Sequence, residues 1–168
     1  MKFRIFLLSL LAACLLLAAC GTAAPPTDAS DPAVTEPAAD GAATITLSGE
    51  TAAVSGSGAA VEGRTVTITA GGTYRVTGSW TNGQLCVNAP GEDVTLLLDG
   101  AQITSADSAA LYVKKAASVT VSLEGENALA NGGAYADIDD NNIDAALFSK
   151  ADLTLTGTGS LTVSAAVG

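Results

Sequence analysis

Histidine is absent from the 168 residues, and cysteine occurs only at positions 14, 20 and 86. A nucleophilic role for Cys86 would therefore lack a partner base. Cations are scarce as well: seven lysines and arginines stand against seventeen acids, for a net charge of −10. With so little to neutralise phosphates, nucleic acid is excluded as a partner. An acidic surface of this kind suits neutral ligands, or anionic ones bridged by a divalent cation. Aromatics are few, with one tryptophan, three tyrosines and three phenylalanines, and helix signals are missing throughout. What remains is Thr, Val, Ala, Leu and Gly in alternating runs.

The first twenty residues, "MKFRIFLLSLLAACLLLAAC", carry Lys2 and Arg4 ahead of an unbroken apolar run, the pattern of an export signal. Leu17, Ala18, Ala19 and Cys20, followed by Gly21, resemble the lipobox of bacterial lipoproteins. That resemblance implies removal of residues 1–19, lipidation of Cys20, and a protein held at the bacterial cell surface by its lipid. Cys14 leaves with the signal, so Cys86 remains as the thiol and no intramolecular disulfide can form. Losing two of the seven cations leaves five against seventeen acids, a mature charge of −12. An uncleaved membrane helix is the alternative, but the span is short and no positive cluster follows it. Residues 20–43, with Pro25, Pro26, Pro32 and Pro37 among Ala, Thr and Asp, read as a flexible tether. Residues 44–168 suffice for one domain.

That domain repeats itself. "TVTITAGGTYRV" from 65, "DVTLLLDGAQIT" from 93, "SVTVSLEGENAL" from 118 and "DLTLTGTGSLTV" from 152 align without gaps. Each places an aliphatic residue (Val66, Val94, Val119, Leu153) before a threonine (Thr67, Thr95, Thr120, Thr154), and a glycine six positions on (Gly72, Gly100, Gly125, Gly159). A shorter apolar piece precedes each segment. The spacings of the aliphatic residues are 28, 25 and 34. Turns of about 25 residues with short alternating strands point to an all-β, parallel β-helix, whose coils stack at about 4.8 Å. Alternation points Val66, Ile68, Val94, Leu96, Leu98, Val119, Val121, Leu123, Leu153 and Leu155 inward and builds an outward threonine ladder. Cys86 and Tyr112, each between two core aliphatics, point outward. A β-sandwich is the competing architecture, although sandwiches do not ordinarily repeat one register four times.

At "GTYRVTGSW", "VTLLLDGAQITS" and especially "AALFSKADLTLTGTGSLTV", the chain resembles a bacterial family of secreted carbohydrate-binding domain proteins. The resemblance runs from residue 44 to the end. It implies a right-handed parallel β-helix similar to pectate lyases, with calcium as cofactor and cellulose or uronic-acid-containing glycans as partners. Family members continue with further glycine-rich coils after the "SLTV" strand. Here the sequence stops at "SAAVG", so an incomplete stack with an exposed C-terminal strand edge is expected.

Three sets of side chains are candidates for function. The third spacing exceeds the others by six to nine residues, and the excess holds "ADIDDNNID". Asp137, Asp139, Asp140, Asn141 and Asp144 supply the oxygens that calcium prefers. The stretch is not an EF-hand, because Asn142 stands at the glycine position and Phe148 at the glutamate position. A solvated acidic turn is the plainer reading. Asp99 and Glu124 share a register on successive coils, where like charges repel unless a cation sits between them. Trp80 and Tyr112 could each cover a pyranose face, or Trp80 could simply fill a corner. Arg75 and Lys114 could pair with a uronate or stand solvated.

Binding without catalysis, along stacked coils, is the expected function. Its rivals are a calcium-dependent polysaccharide lyase, which needs a base near the uronate C–H, and an adhesin or structural spacer.

Overall fold

The computed structural model describes residues 43–133, 137–138 and 141–166, and every regular element among them is a β-strand. Cys20, the signal segment and the tether up to residue 42 lie outside the described residues. The chain opens with β1 (Ala43–Gly49), β2 (Thr51–Ser55), β3 (Ala59–Glu62) and β4 (Thr65–Ile68). It continues through β5 (Gly72–Thr81), β6 (Gln84–Asn88), β7 (Asp93–Ser105), β8 (Leu111–Lys115), β9 (Ser118–Glu124) and β10 (Glu126–Asn131). The short strands β11 (Asp137–Ile138), β12 (Asn141–Asn142) and β13 (Leu147–Ser149) follow, and β14 (Asp152–Gly157) and β15 (Ser160–Ala165) end the described chain.

An eight-stranded sheet runs β14-β9-β7-β5-β1-β2, with β10 joined to both β7 and β15. A five-stranded sheet runs β13-β8-β6-β4-β3. Successive passes of the chain pair in parallel, as in β5 with β7, β7 with β9 and β9 with β14. The hairpins β1–β2, β3–β4 and β11–β12 are antiparallel, so the sheets are mixed rather than purely parallel.

Alternation decides which side chains are buried. Along β7, Val94, Leu96, Leu98, Ala101 and Ile103 enter the core, while Thr95, Leu97 and Asp99 face out half-buried and Gln102 and Thr104 are exposed. The strand bends between its two halves at Gly100, whose φ of 64° suits glycine best. Gly125, at the same φ, repeats the bend one pass later, and a Cβ there would stand 3.7 Å from the Gly100 nitrogen. The buried Asn127 carboxamide ties this corner together. It accepts from the Ala101 N–H at 2.9 Å and donates to the carbonyls of Glu124 at 3.0 Å and Ser160 at 3.2 Å. Three passes thus share one satisfied polar group, which is how a corner can be buried without stranding backbone donors.

The expected ladder is present with one change of membership. Val94, Val119 and Leu153 stand in register, as do Thr95, Thr120 and Thr154. Val66 and Thr67, however, belong to the other sheet, opposite Leu85 and Cys86. The neighbour of Thr95 is Thr73 on β5. Alternating valine and threonine looks the same whichever sheet a strand joins, so a gapless alignment could not tell β4 from β5. Leu155 lies in the core-facing register opposite Val121 but is 54% exposed, because its strand has β9 on one side only.

Candidate functional site

The outward side of the eight-stranded sheet carries mostly short polar side chains. One row is Thr73, Thr95, Thr120 and Thr154, and the next is Thr44, Arg75, Leu97, Ser122 and Thr156. A third holds Thr46, Thr77, Asp99 and Glu124. Neighbours within a row are about 4.8 Å apart and alternate residues along a strand about 6.6 Å apart, so hydroxyls repeat on a regular lattice.

Asp99 and Glu124 do stack, and the cation their pairing calls for is Arg75. Its Nη2 lies 2.5 Å from the Asp99 carboxylate and 3.5 Å from that of Glu124. All three side chains are at least a third exposed, so each contact contributes about 0–1 kcal/mol. The consequence is chemical rather than energetic: the guanidinium is occupied, and the trio carries a net charge of −1. Ser118 donates to Asp93 at 2.6 Å across the next pair of strands.

Of the two readings of Trp80, the structure agrees with the packed corner rather than with sugar contact. Trp80 and Tyr112 are each 1% exposed and offer no ring face to a sugar. Trp80 alternates inward on β5 and fills the main core. Tyr112 points outward from the five-stranded sheet, as does Cys86, but Ile143 packs over both in a second small core with Ala109. Phe148 joins it, its ring centroid 5.9 Å from that of Tyr112. The end of the inserted segment therefore covers the outer face of that sheet, which no pattern in the sequence foretold.

Of the five oxygen-bearing residues expected to hold calcium, Asp139 and Asp140 lie outside the described residues. The β11–β12 register sets Asp137 opposite Asn142 and Ile138 opposite Asn141, and Asp144 is exposed just beyond. Their donor chemistry, carboxylates and amides, fits a hard cation. Among the described residues, no group of three or more His, Cys, Asp or Glu side chains is close enough to hold a metal.

A feature absent from the sequence reading is a cleft of about 350 Å3 where the chain passes from the eight-stranded to the five-stranded sheet. Arg64 and Thr65 form one wall. Asn82, Gly83 and Gln84 come from the β5–β6 corner, and Ser105, Asp107 and Ser108 from the corner one pass later. Arg64 Nη2 lies 3.1 Å from Asp107 Oδ2. The Gln84 amide donates to Ser108 Oγ at 2.9 Å and to the Ala109 carbonyl at 3.0 Å. Asn82 sits at φ 64°, a conformation asparagine tolerates, and its Oδ1 accepts from the Ala106 N–H at 3.3 Å. One pass further, Asn131 donates to the Ser108 carbonyl at 2.8 Å. The signal was legible in principle, since "TNGQ", "TSADS" and "ANGG" are polar turns recurring at one place in each pass.

The described residues thus form a stack of short strands with a polar outer face and a polar corner cleft. The family model for carbohydrate-binding domain-containing proteins matches residues 62–168. The chain belongs to that family. A carbohydrate-binding domain-containing protein of Acetivibrio thermocellus is 38% identical over 113 residues, 64% of this chain and 40% of that protein. Among solved structures, the polysaccharide lyase-like protein from C. thermocellum, in a gadolinium derivative, superposes with a TM-score of 0.68 at 32% identity. The match covers 73% of this chain and 52% of that one, so the chain spans about half or less of the relatives it matches.

Proposed function

We propose that this protein is an exported, lipid-anchored surface protein whose right-handed parallel β-helix binds polysaccharide without cleaving it. The observation that carries the reading is the outward lattice of Thr73, Thr95, Thr120 and Thr154 beside Thr44, Ser122 and Thr156, on a chain of the carbohydrate-binding family. Hydroxyls in regular rows exchange hydrogen bonds with sugar hydroxyls along an extended chain, and many modest contacts sum to useful affinity. Neutral plant-type glycans such as cellulose suit the net charge of −10. Uronic-acid glycans bind through calcium, for which Asp137, Asp139, Asp140, Asn141 and Asp144 supply oxygens. The anchor rests on Cys20 and the residues before it.

A lyase would need a base free to take a proton. Of the cations open to that role, Arg75, Lys114 and Lys150, Arg75 is engaged by the Asp99 carboxylate at 2.5 Å. The test is a glycan array with and without chelator, paired with incubation on polygalacturonate and calcium while absorbance of unsaturated product is followed. Retention without product is expected. Product formation would make the protein an enzyme, and the absence of retention on every polysaccharide would make it a spacer.

A further inference from the structure

We infer that the corner cleft between Arg64 and Asp107 is a binding subsite for one uncharged sugar residue of the glycan. The inference rests on the carbohydrate-binding reading and adds to it a place and a charge preference. At about 350 Å3 the cleft is at the lower end of small-molecule pockets, a size suited to a sugar unit rather than to a large cofactor.

Its lining is what vicinal hydroxyls need. Each sugar hydroxyl both donates and accepts, so a site must present both functions side by side. The Arg64 guanidinium spends one N–H on Asp107 and keeps others, while Asp107 retains acceptor capacity on both oxygens. The two Nε2 hydrogens of Gln84 go to Ser108 and Ala109, which leaves its amide oxygen as an acceptor. The Oδ1 of Asn82 is taken by Ala106, which leaves its amide nitrogen as a donor. The residues lining the cleft therefore keep two donors and two acceptors beyond the bonds they make to one another.

These groups are also held in place. Ser108 is 3% exposed and receives Gln84 on its hydroxyl and Asn131 on its carbonyl, while its own N–H donates to Ser105 Oγ at 3.2 Å. A rim fixed by its own hydrogen bonds loses little freedom on binding, which raises affinity for a given set of contacts.

Charge decides the kind of sugar. Arg64 and Asp107 form a neutral pair, each about half exposed. A uronate would have to displace Asp107 from the guanidinium and then lie beside it as a like charge, inside a field set by a net charge of −10. A neutral diol instead bridges the pair, donating to the carboxylate and accepting from the guanidinium.

The test is calorimetric titration of the mature protein with hexasaccharides of glucose, xylose and mannose, and with hexagalacturonate. Asn82→Gly keeps the backbone conformation and removes the amide, and Asp107→Ala removes the acceptor from an exposed position. Each is expected to weaken binding of a neutral hexasaccharide by about 2- to 10-fold, and the pair by more than tenfold, with the melting temperature held in Asp107→Ala and lowered modestly in Asn82→Gly, which also removes the acceptor of the Ala106 N–H. Asn82→Asp, which also tolerates this φ and turns a donor into an acceptor, reproduces the loss if Asn82→Gly unfolds. Neutral oligosaccharides that bind the variants as tightly as the parent would overturn the cleft while leaving the carbohydrate reading intact. Tighter binding of hexagalacturonate, lost in the same variants, would overturn the uncharged preference. Silence with every glycan would remove both the cleft and the function it rests on.

Discussion

Replacing Gly83 by alanine tests the corner at which the core, the two sheets and the cleft meet. A Cβ on Gly83 would stand 2.0, 2.2 and 2.4 Å from Cδ2, Cε2 and Cε3 of Trp80. Carbon atoms prefer about 3.5 Å or more, so the ring or the corner must retreat by roughly 1.5 Å. Neither moves freely. Trp80 is 1% exposed and packed within the main core, and the Gly83 N–H donates to the Thr104 carbonyl at 2.9 Å. Overpacking a close-packed interior costs about 1–3 kcal/mol, and a displaced tryptophan belongs at the upper end. For a domain of this size that is a fall in melting temperature of roughly 5–15 °C. The assay is favourable because Trp80 is the sole tryptophan, so its fluorescence reports this corner alone. Gly83→Ala should melt earlier and emit to the red of the parent. An unchanged melting temperature with unchanged emission would refute the packing described for Trp80.

Three further outcomes follow from the same structure, and a fourth from the proposed calcium binding. Asn127→Ala removes the acceptor of the buried Ala101 N–H and should cost about 2–3 kcal/mol in urea denaturation; a loss below about 0.5 kcal/mol would mean that the corner does not depend on it. Tyr74 donates to the carbonyls of Ala70 and Gly58, and burial raises its pKa above the ordinary 10.0. The folded state thus keeps this proton after the unfolded chain has lost it, so stability is full below pH 10.0 and falls as pH rises through the folded value. Tyr74→Phe should be less stable at neutral pH but decline more gently in alkali, and parallel curves for the two proteins would count against it. Arg75→Ala leaves Asp99 and Glu124 adjacent without their cation and should cost about 0.5–1 kcal/mol at low salt, less at high salt; a salt-independent loss would point to packing instead. Added calcium should raise the melting temperature, and Asp137→Ala with Asp139→Ala should abolish the rise. An unaltered rise in that double variant would move the cation elsewhere.

Much of this architecture could be read from period and alternation. Val94, Leu96 and Leu98 over Val119, Val121 and Leu123 form two rows of one core, because a period of two fixes the face of every side chain once a strand is granted. The same rule placed Asp99 beside Glu124 and turned Cys86 and Tyr112 outward. It could not say that Tyr112 is covered, since Ile143 reaches it from a segment some thirty residues later in the chain. Nor could it assign "TVTI" at 65–68 to the five-stranded sheet, because both sheets use the same alternating residues and differ only in their hydrogen-bond partners.

What the sequence by itself determined is therefore local and periodic: the strands, the inward rows, the acidic balance and the repeated polar turns. Only the tertiary structure decided which passes became neighbours, and with that the capture of Arg75 by Asp99 and Glu124, the burial of Trp80 beneath Gly83 and the meeting of Arg64 with Asp107. The reason is that the ion pairs join residues 24 to 49 positions apart, and their pairing is set by how loops of unequal length close, a quantity to which alternation is blind.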